Sequence, residues 1–320
     1  MLKFICKRVL MMIPVLLGVL FLVFTMNYIS PGDPARMLAG DNASEETVEQ
    51  IREEFGLNKS FIERFFDYTK RLVFHADLGT SYKTKRSVSS EIFDRLPTTI
   101  GLAMTSLLVG MLIALPIGVV SAIKQNTYLD NSLMVIALVG VSMPAFWEAL
   151  MLIIIFAIKL KWLPSFGFSS FKHWILPAFT IGTGAAGALA RITRSSMLEV
   201  IRQDFIRTAR AKGQSERKVI WDHALKNSMI PIITAAGIQL GYMLGGAVLT
   251  ETVFAIPGIG LFMVQAIKAR DYPAVQGGVV ILAILFCAMN LVVDIIYAYV
   301  DPRIKTLYQN KKKPKADSLV

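Results

Sequence analysis

Met197 to Pro231, MLEVIRQDFIRTARAKGQSERKVIWDHALKNSMIP, is the only long polar, helix-favouring stretch in the second half of an otherwise apolar chain. It separates a hydrophobic run ending near Ile192 from another that starts near Met229. Its charge is one-signed. Arg202, Arg207, Arg210, Lys212, Arg217, Lys218 and Lys226, with Arg191 and Arg194 just upstream, outnumber Glu199, Asp204, Glu216 and Asp222. A short loop this rich in Lys and Arg stays on the cytoplasmic side of a membrane. Gly213 interrupts the helical pattern, which predicts helix, turn, helix: two short amphipathic pieces lying along the membrane face.

The remainder of the chain fits that setting. Its 320 residues are 54% hydrophobic, and a mean hydropathy of +0.54 marks an integral membrane protein. The net charge of +11 does not point to nucleic acid. The basic residues concentrate at cytoplasmic segments, where topology and acidic lipid headgroups account for them. Cys6 and Cys287 lie on different segments and offer no disulfide framework or cysteine metal site. His75, His173 and His223 are scattered, so no paired histidine ligands exist and metal catalysis has no visible home.

Six apolar runs follow in order. Lys3, Lys7 and Arg8 precede a run from Val9 to Tyr28, too long for a usual signal peptide and without a small-x-small cleavage site, so it reads as a retained first span. Pro31-Gly32-Asp33-Pro34 breaks it. Residues 30–97 form the one sizeable soluble region, an outer helical cap with helices over Glu45–Phe55 and Lys59–Phe74. The second helix aligns Phe61, Phe65, Tyr68 and Leu72. The triplet Asn42-Ala43-Ser44 spells a glycosylation sequon that chance explains. The second span is Thr99–Ile123. Asn131–Leu160 reads as one kinked helix broken at Ser142-Met143-Pro144, because splitting it would put the basic loop on the wrong side. The fourth span, Trp174–Ile192, holds Gly182-Thr183-Gly184-Ala185-Ala186-Gly187. This spelling matches a dinucleotide fingerprint but lies mid-membrane without a strand, so it reads as tight helix packing. The fifth, Ile230–Thr250, carries Gly237, Gly241 and Gly245, a face for close packing inside the chain or for a seam with a partner. The sixth is Val275–Val300.

The loop's spelling carries a resemblance. Arg207-Thr208-Ala209-Arg210-Ala211-Lys212-Gly213, with His223-Ala224-Leu225-Lys226 downstream, resembles the coupling loop of ABC importer permeases, whose motif reads E-A-A-x-x-x-G followed by I-x-L-P. Ala209, Gly213 and Leu225 match it. Arg207, Thr208, His223 and Lys226 depart from it in the manner of the dipeptide, oligopeptide and nickel branch. The S-P-G-D-P turn after the first span, T-E-T-V-F-A-I-P-G-I-G from Thr250 and D-Y-P-A-V-Q-G from Asp271 are similar to further signatures of that family, so the likeness covers nearly the whole chain.

The resemblance implies an all-α integral membrane protein with six transmembrane helices, the type I ABC importer permease architecture and both termini cytoplasmic. It divides the chain into 1–29 (cytoplasmic start and first span), 30–97 (outer helical region), 98–300 (permease core with the coupling loop 197–228) and 301–320 (cytoplasmic basic tail). It implies partners: a second, similar permease, two ATP-binding subunits and an extracellular solute-binding protein, for which residues 30–97 would be the landing surface. ATP and magnesium would sit on the partner ATPases, since no G-x-x-x-x-G-K-[S/T] phosphate loop occurs in this chain. In that picture Ala209 and Gly213 permit close docking and a sharp turn, while Arg207, Arg210 and Lys212 face acidic groups on the ATPase.

Glu148 and Asp294 are the ionisable residues well inside the spans, and such groups are candidates for a substrate path. The structural alternative pairs each with a neighbouring helix or places it near a span edge. Peptides are the favoured solute, with nickel and glutathione-type peptides as alternatives. The spans offer few of the ligands nickel would need. A secondary transporter, the rival of another class, would show internal repeats and a charged ion path. An intramembrane enzyme using Glu148 and Asp294 would need a nucleophile motif that the sequence lacks.

Overall fold

The long helices follow from the apolar runs: in lipid, backbone polar groups must be satisfied within the segment, and a helix does this residue by residue. The computed structural model describes residues 2–30, 32–40 and 43–300. Pro31, the Asn42 sequon and the basic tail from Arg303 lie outside the described residues. Helix α1 spans Leu2–Ile29, and the short helices α2 (Pro34–Ala39), α3 (Glu45–Glu54) and α4 (Phe61–His75) follow. Then come α5 (Val88–Ile123), α6 (Tyr128–Ser142), α7 (Ala145–Leu152, continued by a π-helical stretch Ile153–Lys159) and α8 (Lys172–Ile201). Next are α9 (Asp204–Ala211), α10 (Glu216–Lys218, continued by a π-helical stretch Val219–Leu225), α11 (Lys226–Phe254), α12 (Ile259–Lys268) and α13 (Tyr272–Val300). Among the described residues, α1, α5, α8, the α10–α11 run and α13 are long and apolar enough to cross a membrane; the bent pair α6–α7 and the bent pair formed by the end of α11 with α12 are each a broken span or a re-entrant loop.

Small residues set how the bundle closes. α5 and α8 pack along their length, with α6 against α8, α11 against both and α13 against α11. Gly110 and Gly182 bring the α5 and α8 backbones together: a Cβ on Gly110 would stand 2.9 Å from the Gly182 carbonyl oxygen. Gly187 likewise abuts the Ala137 carbonyl of α6. Gly182 and Gly187 of the G-x-G-x-x-G spelling are therefore packing positions, whereas Gly184 has open space beside it. Gly237 and Gly241 face Val293 and Phe286 of α13, whereas Gly245 has open space beside it.

Three boundaries differ from the sequence reading. First, Asn131–Leu160 is no single kinked helix: α6 and α7 meet at 101°. Met143 is extended, and Pro144 has no amide hydrogen to continue the ladder. Second, only α9 is a separate amphipathic piece. The second piece runs through the π-helical turn into α11, because nothing between Glu216 and Phe254 stops the helix. Third, α5 begins at Val88, well before Thr99. Residues assigned to the outer cap are its first turns, which bury Val88, Glu91 and Ile92.

The cap is held by aromatic packing. Ser60 starts α4 with a reciprocal capping box to Glu63. The face carrying Phe61, Phe65, Tyr68 and Leu72 closes on α1: Phe24 meets Phe61 at 5.3 Å and Phe65 at 5.5 Å between ring centroids. This cap end and the α9 end are the two termini of the bundle, since α5 runs from Val88 in the cap core to Val119 and Ala122 in the core beneath α9.

Candidate functional site

The α9 end is built from the loop quoted at the outset. The i, i+3 pair Ile206 and Ala209 points inward and packs with Val119 and Ala122 of α5, Met197 and Val200 of α8, and Val219, Ile220 and Ala224 of the π-helical stretch. Burying Ile206 completely contributes about 1.5–3 kcal/mol. The opposite face of α9 carries Phe205, Arg207, Thr208, Arg210 and Lys212, all exposed. Ala209 therefore does not offer its small side chain to a partner. At 7% exposure it lies in the chain's own core, where its size lets α9 settle onto α5 and α8.

Gly213 ends the helix. Its amide donates to the Arg210 carbonyl at 2.9 Å, the Gln214 amide donates to the Ala209 carbonyl at 3.3 Å, and its φ is +75°. That is a Schellman closure, whose left-handed residue glycine adopts without Cβ strain. Arg210 then folds over the turn onto Glu216, at 2.7 and 3.2 Å. His223 Nε2 meets Gln214 Oε1 at 2.6 Å and ties the turn to the π-helical stretch. Leu225 is half-buried against the same core. Arg207 reaches only Asp204, at 3.6 Å and in solvent, and so stays available to a partner. Beside the turn, Ser215, Arg217, Lys218, Trp221 and Asp222 line an open recess of about 570 Å3. The arrangement is a rigid, positively charged knob on an apolar seat.

Behind the knob lies a clamp that the charge count concealed. Arg194 binds Asp130 through two nitrogens, at 2.8 and 2.7 Å, and Asp130 also accepts from Ser121 and, at 2.9 Å, from the Asn126 amide. Asp130 is 1% exposed. Arg194 thus belongs to no mobile loop. It locks the ends of α5, α6 and α8 beneath α9. Nothing near Asp130 in the sequence names Arg194 as its partner.

The two intramembrane acids are not brought together. Thr183 of α8 donates to Glu148 Oε1 at 2.6 Å, and Glu148 is buried just past the α6–α7 break. Asp294 pairs with Arg8 of α1 at 3.0 Å. The sequence reading missed a further buried acid, Glu251. Glu251 is fully buried, accepts from Thr99 Oγ1 at 2.7 Å and from the Leu261 amide at 3.1 Å, and so caps the start of α12. Any Cβ on Gly258 or Gly260 would meet its carboxylate, which accounts for the P-G-I-G spelling of Pro257–Gly260 in the same motif. Asp271 plays a similar part at the cap: it accepts from Ser81 Oγ at 2.5 Å and the Tyr82 amide at 3.1 Å while capping α13. Among the described residues, no group of three or more His, Cys, Asp or Glu is placed to hold a metal ion.

With this geometry in hand, comparison with known proteins is specific. Residues 114–306 match the family described as Binding-protein-dependent transport system inner membrane component, and residues 1–103 match its N-terminal counterpart. The dipeptide transport system permease protein DppB of Alkalihalophilus pseudofirmus is 43% identical over 333 residues, covering 95% of this chain and 100% of that one. The glutathione transport system permease protein GsiC of Salmonella choleraesuis is 41% identical over 305 residues, covering 95% and 99%. Among solved structures, an inward-facing MetNI methionine ABC transporter chain superposes with a TM-score of 0.58 at 21% identity, covering 66% of this chain and 96% of that one. At that identity the likeness is one of fold.

Proposed function

The chain belongs to the family of binding-protein-dependent transport system inner membrane components, and on that premise we propose that it is the permease subunit of an ATP-driven importer of dipeptides or oligopeptides. The observation that carries this reading is the α9 knob: an amphipathic helix seated on α5 and α8, with Arg207, Arg210 and Lys212 turned outward. A separate ATP-binding subunit docks there, and its closure around ATP moves α9 as a rigid body. The Asp130–Arg194 clamp passes that motion to α5, α6 and α8. Two discrete arrangements of the bundle then give alternating access. The assembly comprises a second, similar permease, two ATP-binding subunits and a solute-binding protein that lands on the cap. This chain forms half of the path and carries out no chemistry of its own.

Peptides are favoured over nickel because the described spans cluster no His or carboxylate ligands. The near-equal identity to DppB and GsiC keeps glutathione, itself a peptide, within the same reading. The test is uptake of labelled dialanine by cells carrying the intact system, by cells without this chain, and by cells without the partner ATPase. Uptake lost in both deletions supports the reading. Uptake that survives loss of the ATPase overturns it in favour of a secondary transporter.

A further inference from the structure

At the cap end, α4, the 77–82 loop and the start of α13 enclose a cleft of about 710 Å3. Two polar side chains on its floor are more than nine-tenths buried and lack part of their hydrogen bonding. Tyr68 is 7% exposed, and its hydroxyl has no partner. Gln276 is 6% exposed; its Oε1 accepts from Asn27 at 3.3 Å, which leaves Nε2, a pure donor, without a partner. Each such group destabilises the fold if nothing ever satisfies it. Two on one cleft floor are therefore unexplained by folding alone. Gln276 is moreover the Q of D-Y-P-A-V-Q-G, whose Asp271 has a structural task while the glutamine's amide nitrogen has none.

The charges around the floor identify what is missing. Lys59 and Asp67, on the rim, satisfy each other at 2.6 Å. Arg64 is half-buried, has no carboxylate partner among the described residues, and stands over the Tyr28 ring at 5.6 Å. Its guanidinium borders the cleft beside Tyr82 and Gln276. Burial pushes the Tyr82 hydroxyl up to about 12 against the opposing pull of Arg64, so Tyr82 stays a neutral donor. Guanidinium, amide and phenol donors at one place suit a planar anionic acceptor. On the loop side of the cleft, Asp77 keeps a half-buried carboxylate, with Oδ1 held by the Gly79 amide at 2.8 Å. The lining carries both signs of charge, with Arg64, Lys70 and Arg71 beside Glu53, Glu54 and Asp77, and a cleft of this size and mixed charge fits a small zwitterion.

We propose that this cleft is a receiving site for the free peptide, whose C-terminal carboxylate takes the Arg64 and Gln276 donors while its ammonium end faces Asp77. The site rests on the peptide reading above. With the termini in the cytoplasm, the cap lies on the face from which solute arrives, so the cleft holds peptide before the path opens.

The test uses the chain purified with its co-expressed transport subunits in nanodiscs, without the solute-binding protein. Binding of labelled dialanine and of its C-terminal amide is measured. The expected result is saturable binding of dialanine, with about tenfold weaker binding of the amide, corresponding to about 1.4 kcal/mol. A similar loss is expected for dialanine on Gln276→Met and on Arg64→Gln, the second guarding against a folding defect in α13. Equal binding of peptide and amide, binding unchanged in both variants, or binding seen only once the solute-binding protein is added would overturn the site. Uptake of dialanine by the intact system separates the two levels. Uptake without cleft binding removes this site alone, whereas absence of uptake removes the peptide reading.

Discussion

The two ends of the bundle are finished differently. At the α9 end the buried polar groups pair: Asp130 with Arg194, Ser121 and Asn126, and Ser228 with the Leu225 carbonyl at 2.9 Å. What is left over there is surface charge on a rigid helix. At the cap end the fixed points are as firm, in the Phe24–Phe61–Phe65 cluster and the Asp271 clasp, but two donors buried in the cleft floor, the Tyr68 hydroxyl and the Gln276 amide nitrogen, have no partner. A surface that is pushed needs stiffness and complete pairing. A surface that receives a solute must hold polar groups in reserve. The contrast separates transmission of force from recognition along one chain.

The largest effect should come from breaking the stiff end. Asp130→Ala leaves the Arg194 guanidinium partly desolvated without its carboxylate, at a cost of about 3 kcal/mol. The thermal unfolding midpoint of the purified complex in detergent should fall clearly, and the double replacement Asp130→Leu with Arg194→Met should recover most of the loss. An unchanged midpoint in Asp130→Ala would mean that the clamp does not hold α5, α6 and α8, and the claimed stiffness would go with it.

Asp271→Asn comes next. It keeps the shape but removes the charge that Ser81 and the Tyr82 amide share, worth about 1.5–3 kcal/mol for charge-assisted bonds. The expected outcome is faster proteolytic nicking between residues 77 and 87, with the α9 end unaffected when measured by retention of the ATPase on the purified complex. Loss of the ATPase in that variant would show that the two ends are not independent.

How far the sequence anticipates these ends differs in the same way. Period and turn chemistry are local, so the spans, the α3 and α4 helices, the Gly213 stop and the basic face of α9 can all be read from the chain. The amide-less Pro144 signals a break as well, but its 101° angle depends on how α7 packs against α8 and α11. Pairings across the bundle cannot be read at all. Arg194 looks like one more loop cation until Asp130 is seen 64 residues away. Glu251 looks like a span-edge acid until the start of α12 folds back onto it. The peptide-permease signatures mark these places without saying why, and the structure supplies the reason for the glutamate, the two glycines and the aspartate.

Gly213→Val sharpens the α9 side. Its Cβ meets nothing within 4 Å, so the cost is the left-handed backbone alone, about 1–2 kcal/mol and confined to the end of α9. The chain should insert at normal levels and the complex should still hydrolyse ATP, while dialanine uptake falls. Normal uptake would show that the geometry of this turn does not transmit the motion.

The smallest change is the most discriminating for the cap. Tyr68→Phe removes one buried oxygen that the folded chain leaves unpartnered, with the ring still packed against Phe24 at 6.2 Å. If the hydroxyl is a reserve, stability should stay within about 0.5 kcal/mol or rise slightly, because no intramolecular bond is lost and a desolvated group disappears. Dialanine binding should weaken in the same variant. A stability loss above about 1 kcal/mol would mean that the hydroxyl is already satisfied within the fold, and the cap would then be finished like the α9 end.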